Sequence, residues 1–194
     1  QLPYSVQWVP SGTLLGIGEH NISADIIHLH WICGGFLSIG EIANLKEPLV
    51  WTLHDMWAFT GGCHIDRGCG RYVRSCGSCP LLHSDWKRDL SRWVWARKHE
   101  AWRNLALTLV APSRWLASCA RQSSLFKDKR IEVIPNGLDI ECFKPIDKQV
   151  AREILNLPSR SSLILFGADN PINPLKGYEL FEAALQDLTA VNHV

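Results

Sequence analysis

The sequence predicts an α/β fold, a parallel sheet with helices on its faces, on three observations. Short apolar, β-branched runs recur at 25–31, 48–53, 106–110 and 131–134, the pattern of strands buried on both faces. Segments with apolar residues at helical spacing separate them, and strands alternating with helices imply parallel pairing. Finally, 194 residues of which 46% are apolar suffice for one full domain, or one domain and part of another.

The elements follow in order. Asp25 to Trp31 reads as the first strand, and Phe36 to Leu45 as a helix after the Gly34-Gly35 break. Pro48 to Leu53 is the next strand and ends in His54-Asp55. From Met56 to His83 no period is visible, and the stretch holds five glycines and four cysteines; a loop of this length is functional or stapled. Ser84-Asp85 reads as an N-cap for a helix running to about Asn104. Ala106 to Val110 is a strand, Ser113 caps a short helix, and Ile131 to Ile134 is a strand. Phe143 to Asp147 reads as a linker. Beyond it the sequence predicts a helix at 149–156, a strand at 162–166 and a helix at 177–188, the opening of a second unit of the same kind. The domain boundary is therefore expected at 145/146.

Twenty basic against nineteen acidic residues leave a net charge of +1, which excludes the strongly cationic signature of a nucleic-acid binder. No apolar run reaches the ~20 residues of a membrane-spanning helix. The first residues carry no basic cluster followed by an apolar stretch, so no secretory signal is expected and the chain is expected in the cytoplasm. Of seven cysteines, Cys63, Cys69, Cys76 and Cys79 are clustered. Cys76-x-x-Cys79 is a zinc-knuckle spacing and Cys63-x5-Cys69 a looser one. A structural zinc held by four thiolates, with His64 or His83 replacing one, stands beside reduced thiols or disulfides and an iron–sulfur centre as the open readings. Nine tryptophans are read mainly as core, although their faces also suit sugar rings.

Asp25-Ile-Ile-His-Leu-His30, Thr52-Leu-His54-Asp55, Val110-Ala-Pro-Ser113-Arg-Trp115, Ile134-Pro-Asn-Gly-Leu-Asp139 with Phe143, and Phe166-Gly-Ala through Lys176-Gly177 together resemble the motifs of family-4 glycosyltransferases. Their order over about 150 residues carries the resemblance. Thr60-Gly-Gly-Cys63-His and Cys76-Gly-Ser-Cys79-Pro are similar to the bacterial exopolysaccharide-type members. The resemblance implies the two-domain GT-B architecture, in which the acceptor sits on the first Rossmann-like domain and the nucleotide-sugar donor on the second. Residues 1–145 then correspond to the acceptor-side domain, without its earliest strand and Gly-rich loop, and 146–194 to the beginning of the donor-binding domain. The resemblance also implies a nucleoside-diphosphate-sugar donor, a glycan or lipid-linked acceptor, sugar transfer with retention, and no catalytic cofactor.

Sugar transfer builds charge on the departing diphosphate, which a cation or helix N-terminus stabilises. Lys176 before Gly177 is the expected donor-phosphate residue; the plain alternative is a solvated helix-end lysine. Many relatives place an arginine ahead of it where this sequence reads Asp169 to Pro174. His54 stands at the C-terminal end of a predicted parallel strand, where open α/β sheets bind ligands. It is the expected catalytic residue, with Asp55 orienting it or a neighbouring loop. His30, Trp31, Gly61 and Gly62 are expected at the acceptor site. Asn136 and Gly137 are expected to form a tight turn near the interdomain cleft and to stand among the donor-binding residues. Trp86 to Asn104 interleaves tryptophans with Lys87, Arg88, Arg92, Arg97, Lys98 and Arg103. This reads either as a contact with the inner membrane face or as a solvated cationic face over an aromatic core. Two rival functions stay open: a non-catalytic glycan- or partner-binding remnant, and a zinc-dependent regulatory module.

Overall fold

Four short apolar strands run side by side in the order in which the sequence presents them. In the computed structural model, which describes residues 4–6 and 24–191, they are β1 (Ile27–Leu29), β2 (Leu49–Thr52), β3 (Leu107–Ala111) and β4 (Arg130–Val133). All pairs are parallel, with Ile27 opposite Leu49, Leu49 opposite Leu107 and Leu109 opposite Ile131. Parallel neighbours need crossover connections. These carry α1 (Ile39–Ala43), α2 (Leu90–Trp102) and α3 (Arg114–Gln122). The expected fold class is thus found: a parallel sheet flanked by helices.

The helix starts have local causes. Ser38 accepts from the Glu41 amide while the Glu41 carboxylate accepts from the Ser38 amide, a reciprocal cap. Ser113 accepts from the Leu116 amide, as the sequence predicts. The start of α2 differs. Its N-cap is Asp89, not Ser84, because residues 84–88 lie along the preceding loop. There the Ser78 amide donates to the Trp86 carbonyl at 2.9 Å and the Ser78 hydroxyl to the Asp85 carbonyl at 3.1 Å.

The aperiodic stretch 56–83 carries three single 3-10 turns, at Trp57–Phe59, Arg71–Val73 and Pro80–Leu82. Most of its early part is core: Met56, Trp57, Ala58, Phe59 and Thr60 are buried. Trp51, Trp57, Trp102, Phe126, Phe59 and Tyr72 form a continuous chain of ring contacts with centroids 5.3–6.4 Å apart. This core explains part of the tryptophan content, although Trp31, Trp86, Trp93 and Trp115 are exposed. Trp8 lies outside the described residues.

Gly61 is the tightest point of the loop. A Cβ there would stand 2.3 Å from the Ser91 carbonyl oxygen and 2.7 Å from Cys76 Cβ. Neither neighbour is a flexible side-chain end. Gly61→Ala is therefore expected to cost about 2–3 kcal/mol of stability through overpacking. Urea denaturation measures it, and a loss below about 0.5 kcal/mol, the range of an ordinary surface change, would refute the close packing.

The chain divides into two compact units at Gly137/Leu138. The second contains α4 (Lys148–Ile154) and α5 (Tyr178–Val191). Arg152 is buried and bridges the carbonyls of Pro158 and Ser161, and Phe166, Tyr178 and Phe181 form a ring cluster. The predicted strand at 162–166 is absent. Among the described residues of this unit no partner strand runs beside it, and a lone extended segment has nothing with which to form a ladder. Leu163, Ile164 and Leu165 are exposed.

Candidate active site at the C-terminal sheet edge

The C-terminal ends of β1 and β2 deliver four polar side chains to one shallow cavity, lined by His30, Trp31, His54 and Asp55 over Trp51 and Trp57. Parallel register explains the meeting. Leu29 lies opposite Trp51, so the residues that follow each strand emerge together. His30 Nδ1 and His54 Nε2 are 3.0 Å apart. One nitrogen must donate and the other accept, so each ring's tautomer constrains the other's. His28, two residues back on β1, packs against His30 with ring centroids 4.3 Å apart and planes tilted by 37°, and bonds the Thr52 hydroxyl at 2.8 Å. Burial first, and then the neighbouring His30, lower the basicity of His28.

Asp55 does not serve His54. Its Oδ2 meets His64 Nδ1 at 2.6 Å and accepts from the Trp31 indole at 3.1 Å, while its Oδ1 accepts from the Trp57 amide at 2.8 Å. His64 Nε2 in turn bonds the Ser5 hydroxyl at 2.9 Å. Asp55 thus ties the loop and Trp31 to the strand end. The sequence offered His64 only as a candidate metal ligand; its position nine residues after Asp55 in an aperiodic loop carried no pairing signal.

Below this cavity lies a residue that pattern reading placed on a solvated face. Lys98 of α2 is fully buried. Its ammonium donates to the Trp57 and Thr60 carbonyls and sits 3.4 Å above the Trp57 ring. Burial pulls its pKa down to about 7, against the opposing influence of Cys33, Cys63, Cys76 and Asp55. Helical spacing puts Lys98 on the same face as the buried Ser91, Val94 and Trp102, but the residue type argued against it.

The zinc site expected of Cys63, Cys69, Cys76 and Cys79 is not formed. Among the described residues no three His, Cys, Asp or Glu side chains are grouped to hold a metal, and all seven cysteines are free. Burial, with the neighbouring thiols adding to it, pushes the Cys63 thiol up to about 12 and the Cys76 thiol up to about 11. Cys76 Sγ accepts from the Gly61 amide at 3.1 Å. The loop is held instead by Lys98 and by Tyr4, whose hydroxyl donates to the Gly61 carbonyl. Asp89 adds a further tie, accepting from the Cys79 amide at 2.7 Å.

Other expected site residues fall apart in space or in role. Gly61 and Gly62 are buried, the first against α2 and the second, at φ +126°, against the Tyr4 ring, so they do not line the cavity. Asn136 and Gly137 form no tight turn, and Gly137 lacks a positive φ. They lie at the boundary between the units. Lys176 and Gly177 belong to the second unit. Lys176 pairs with Asp169 at 3.4 Å, and Gly177 adopts a left-handed conformation immediately before α5.

The model of Glycosyltransferase Family 4 matches residues 16–142, more than half of the chain and including every residue of this cavity. The chain belongs to glycosyltransferase family 4. A relative in Escherichia coli (strain K12), named as a colanic acid biosynthesis glycosyl transferase, WcaC, is 29% identical over 129 residues. That alignment covers 59% of this chain and 31% of the relative, so the chain spans about a third of that protein's length. No solved structure matches significantly. The family-4 match ends at residue 142, close to the division between the two units.

Proposed function

We propose that this chain is the acceptor-side part of a retaining glycosyltransferase of hexosyl type. In this reading it moves a sugar from a nucleoside-diphosphate donor to a glycan or lipid-linked acceptor in polysaccharide biosynthesis. The observation that carries it is the His30–His54 pair at the C-terminal edge of a parallel sheet, within the segment that matches the family. Ligands of open α/β sheets bind at that edge, and an exposed imidazole with a fixed partner can hydrogen-bond a sugar hydroxyl beside the reacting carbon.

His54 is the residue that touches substrate, His30 sets its tautomer, and Trp31 offers a ring face to the acceptor. Asp55 holds Trp31 and the loop in place. Residues 1–145 form the acceptor side and 146–194 the opening of the donor side. There Lys176, freed from Asp169, meets the diphosphate, with Gly177 allowing close approach. Asn136 and Gly137 serve as the connection between the two parts. No catalytic metal belongs to this proposal. Since the aligned segment is under a third of the relative's length, the chain by itself is proposed not to transfer sugar. Peripheral contact with the cytoplasmic face of a membrane belongs to the same reading, supported by exposed Trp86 and Trp93 beside Lys87 and Arg88. No helix among the described residues is long and apolar enough to cross a membrane.

The test is a panel of nucleoside-diphosphate sugars offered to the full-length enzyme with membrane-extracted acceptors. Release of nucleoside diphosphate with one donor, dependent on acceptor, is the expected result. Failure of every donor would favour the non-catalytic reading.

A further inference from the structure

A second cavity, of about 250 Å³ and open to solvent, lies on the cysteine-bearing loop and the approach to α2. Four cations face it: Arg71, Arg74, Lys87 and Arg92, with the hydroxyl residues Ser75 and Ser78. No carboxylate lines it. Among the described residues none of the four cations forms an ion pair. Asp89, near in sequence, is turned inward and occupied by the Cys79 amide, the Ser91 hydroxyl and the Arg92 amide. Asp66 is likewise engaged by the Gly68 and Gly70 amides.

The cluster is built rather than scattered. Arg71 donates one N–H to the Gly77 carbonyl at 3.1 Å, and Arg92 one to the Ser75 carbonyl at 2.9 Å. Each guanidinium is thereby pinned while keeping other donors of its fork free. Gly77 sits at φ +128°, and a Cβ there would lie 2.4 Å from the Lys87 carbonyl. That close approach clamps the loop against 86–87 and brings Lys87 to the cavity rim. Four like charges held together without a counter-charge repel one another, and such a concave patch concentrates anions. A single carboxylate would balance only one of the four. A phosphate group carries more charge and three oxygens matched to arginine forks.

We propose that this cavity binds a phosphate group, either as a free phosphate or diphosphate or as the headgroup of a phosphomonoester lipid. The site lies in the first unit and stands apart from the His30–His54 cavity, sharing no lining residue with it. It does not depend on sugar transfer being the chain's activity.

The test is binding by the chain and by its Arg74→Ala/Lys87→Ala variant. Both side chains are exposed, so thermal melting is expected to stay unchanged. Inorganic phosphate and inorganic diphosphate are titrated calorimetrically, and vesicles of phosphatidic acid in phosphatidylcholine are compared with phosphatidylcholine alone by co-sedimentation. Arg114→Ala/Lys127→Ala, an exposed pair elsewhere, is the charge-matched control. A loss of at least tenfold in the Arg74/Lys87 variant, with the control unaffected, supports the site. Loss in calorimetry identifies free phosphate as the source, and loss with vesicles alone identifies the lipid headgroup. Absence of binding in both arms, or an equal loss in the control, overturns the proposal.

Discussion

Lys98→Ala is expected to destabilise the first unit by about 3–5 kcal/mol, as a fully buried long side chain is removed and two carbonyls lose their donor. The carbonyls of Trp57 and Thr60 would be left facing a void beneath the loop that follows β2. Denaturant titration measures the loss, and a change below about 1 kcal/mol, the size of an average substitution, would refute the anchoring role. The same residue gives a signed pH effect. An unfolded lysine holds its proton up to about pH 10.4, whereas burial brings Lys98 to about 7. Between those values the unfolded chain binds more protons, so this group adds stability as pH rises, by up to about 1.4 kcal/mol per unit. The buried thiols oppose it. Cys33 and Cys63 are pushed up to about 12 and Cys76 to about 11, chiefly by burial, and they remove stability once unfolded thiols ionise above about pH 8.5. The clean window is therefore pH 7 to 8. There the parent is expected to gain stability relative to Lys98→Met, which keeps the chain length and all the thiols. Parallel denaturation curves for the two proteins at pH 7 and pH 8 would sink the argument.

In the full-length enzyme, His54→Ala is expected to lower kcat/KM by about 10²–10⁴, the range for a positioned acid–base or hydrogen-bonding group. His54 is exposed and its ring bond is to another exposed side chain, so melting should barely move. His30→Ala removes only the partner that sets the tautomer. It should cost less than His54→Ala and alter the pH profile of kcat. Retention of transfer within threefold in His54→Ala would remove His54 from the reacting centre. Asp55→Ala separates two roles. Because Asp55 bonds His64, Trp31 and the Trp57 amide rather than His54, its loss should show in acceptor KM and in loop stability together.

Residue patterns made the sheet legible because its central strands β2 and β3 are short apolar runs buried along most of their length, which leaves little freedom in residue type; the outer strands β1 and β4 each bury a single residue, Leu29 and Ile131. The reciprocal Ser38–Glu41 cap starts α1 inside the helix expected over 36–45. The cap at Ser113 depends on a side chain three residues from its partner, so it could be read locally. The Asp89 cap could not, because Ser84-Asp85 is an equally good cap by residue type. The choice is made when Ser78 takes the backbone of Trp86 and Asp85 into a loop contact.

The same distinction runs through the site. The sequence by itself determined the parallel α/β fold, the family, and the position of His54 at a strand end; the parallel register of β1 on β2 then brought His30 beside it. Only the tertiary structure decided what stabilises the loop beyond them. The cysteines suggested a metal, yet among the described residues no three metal-binding side chains are grouped to hold one, and a lysine with an aromatic and carbonyl surround takes the central place. Spacing along a chain reports which residues share a face. Whether a charge on that face meets water or two carbonyls depends on residues some forty positions away, and only folding brings them within reach.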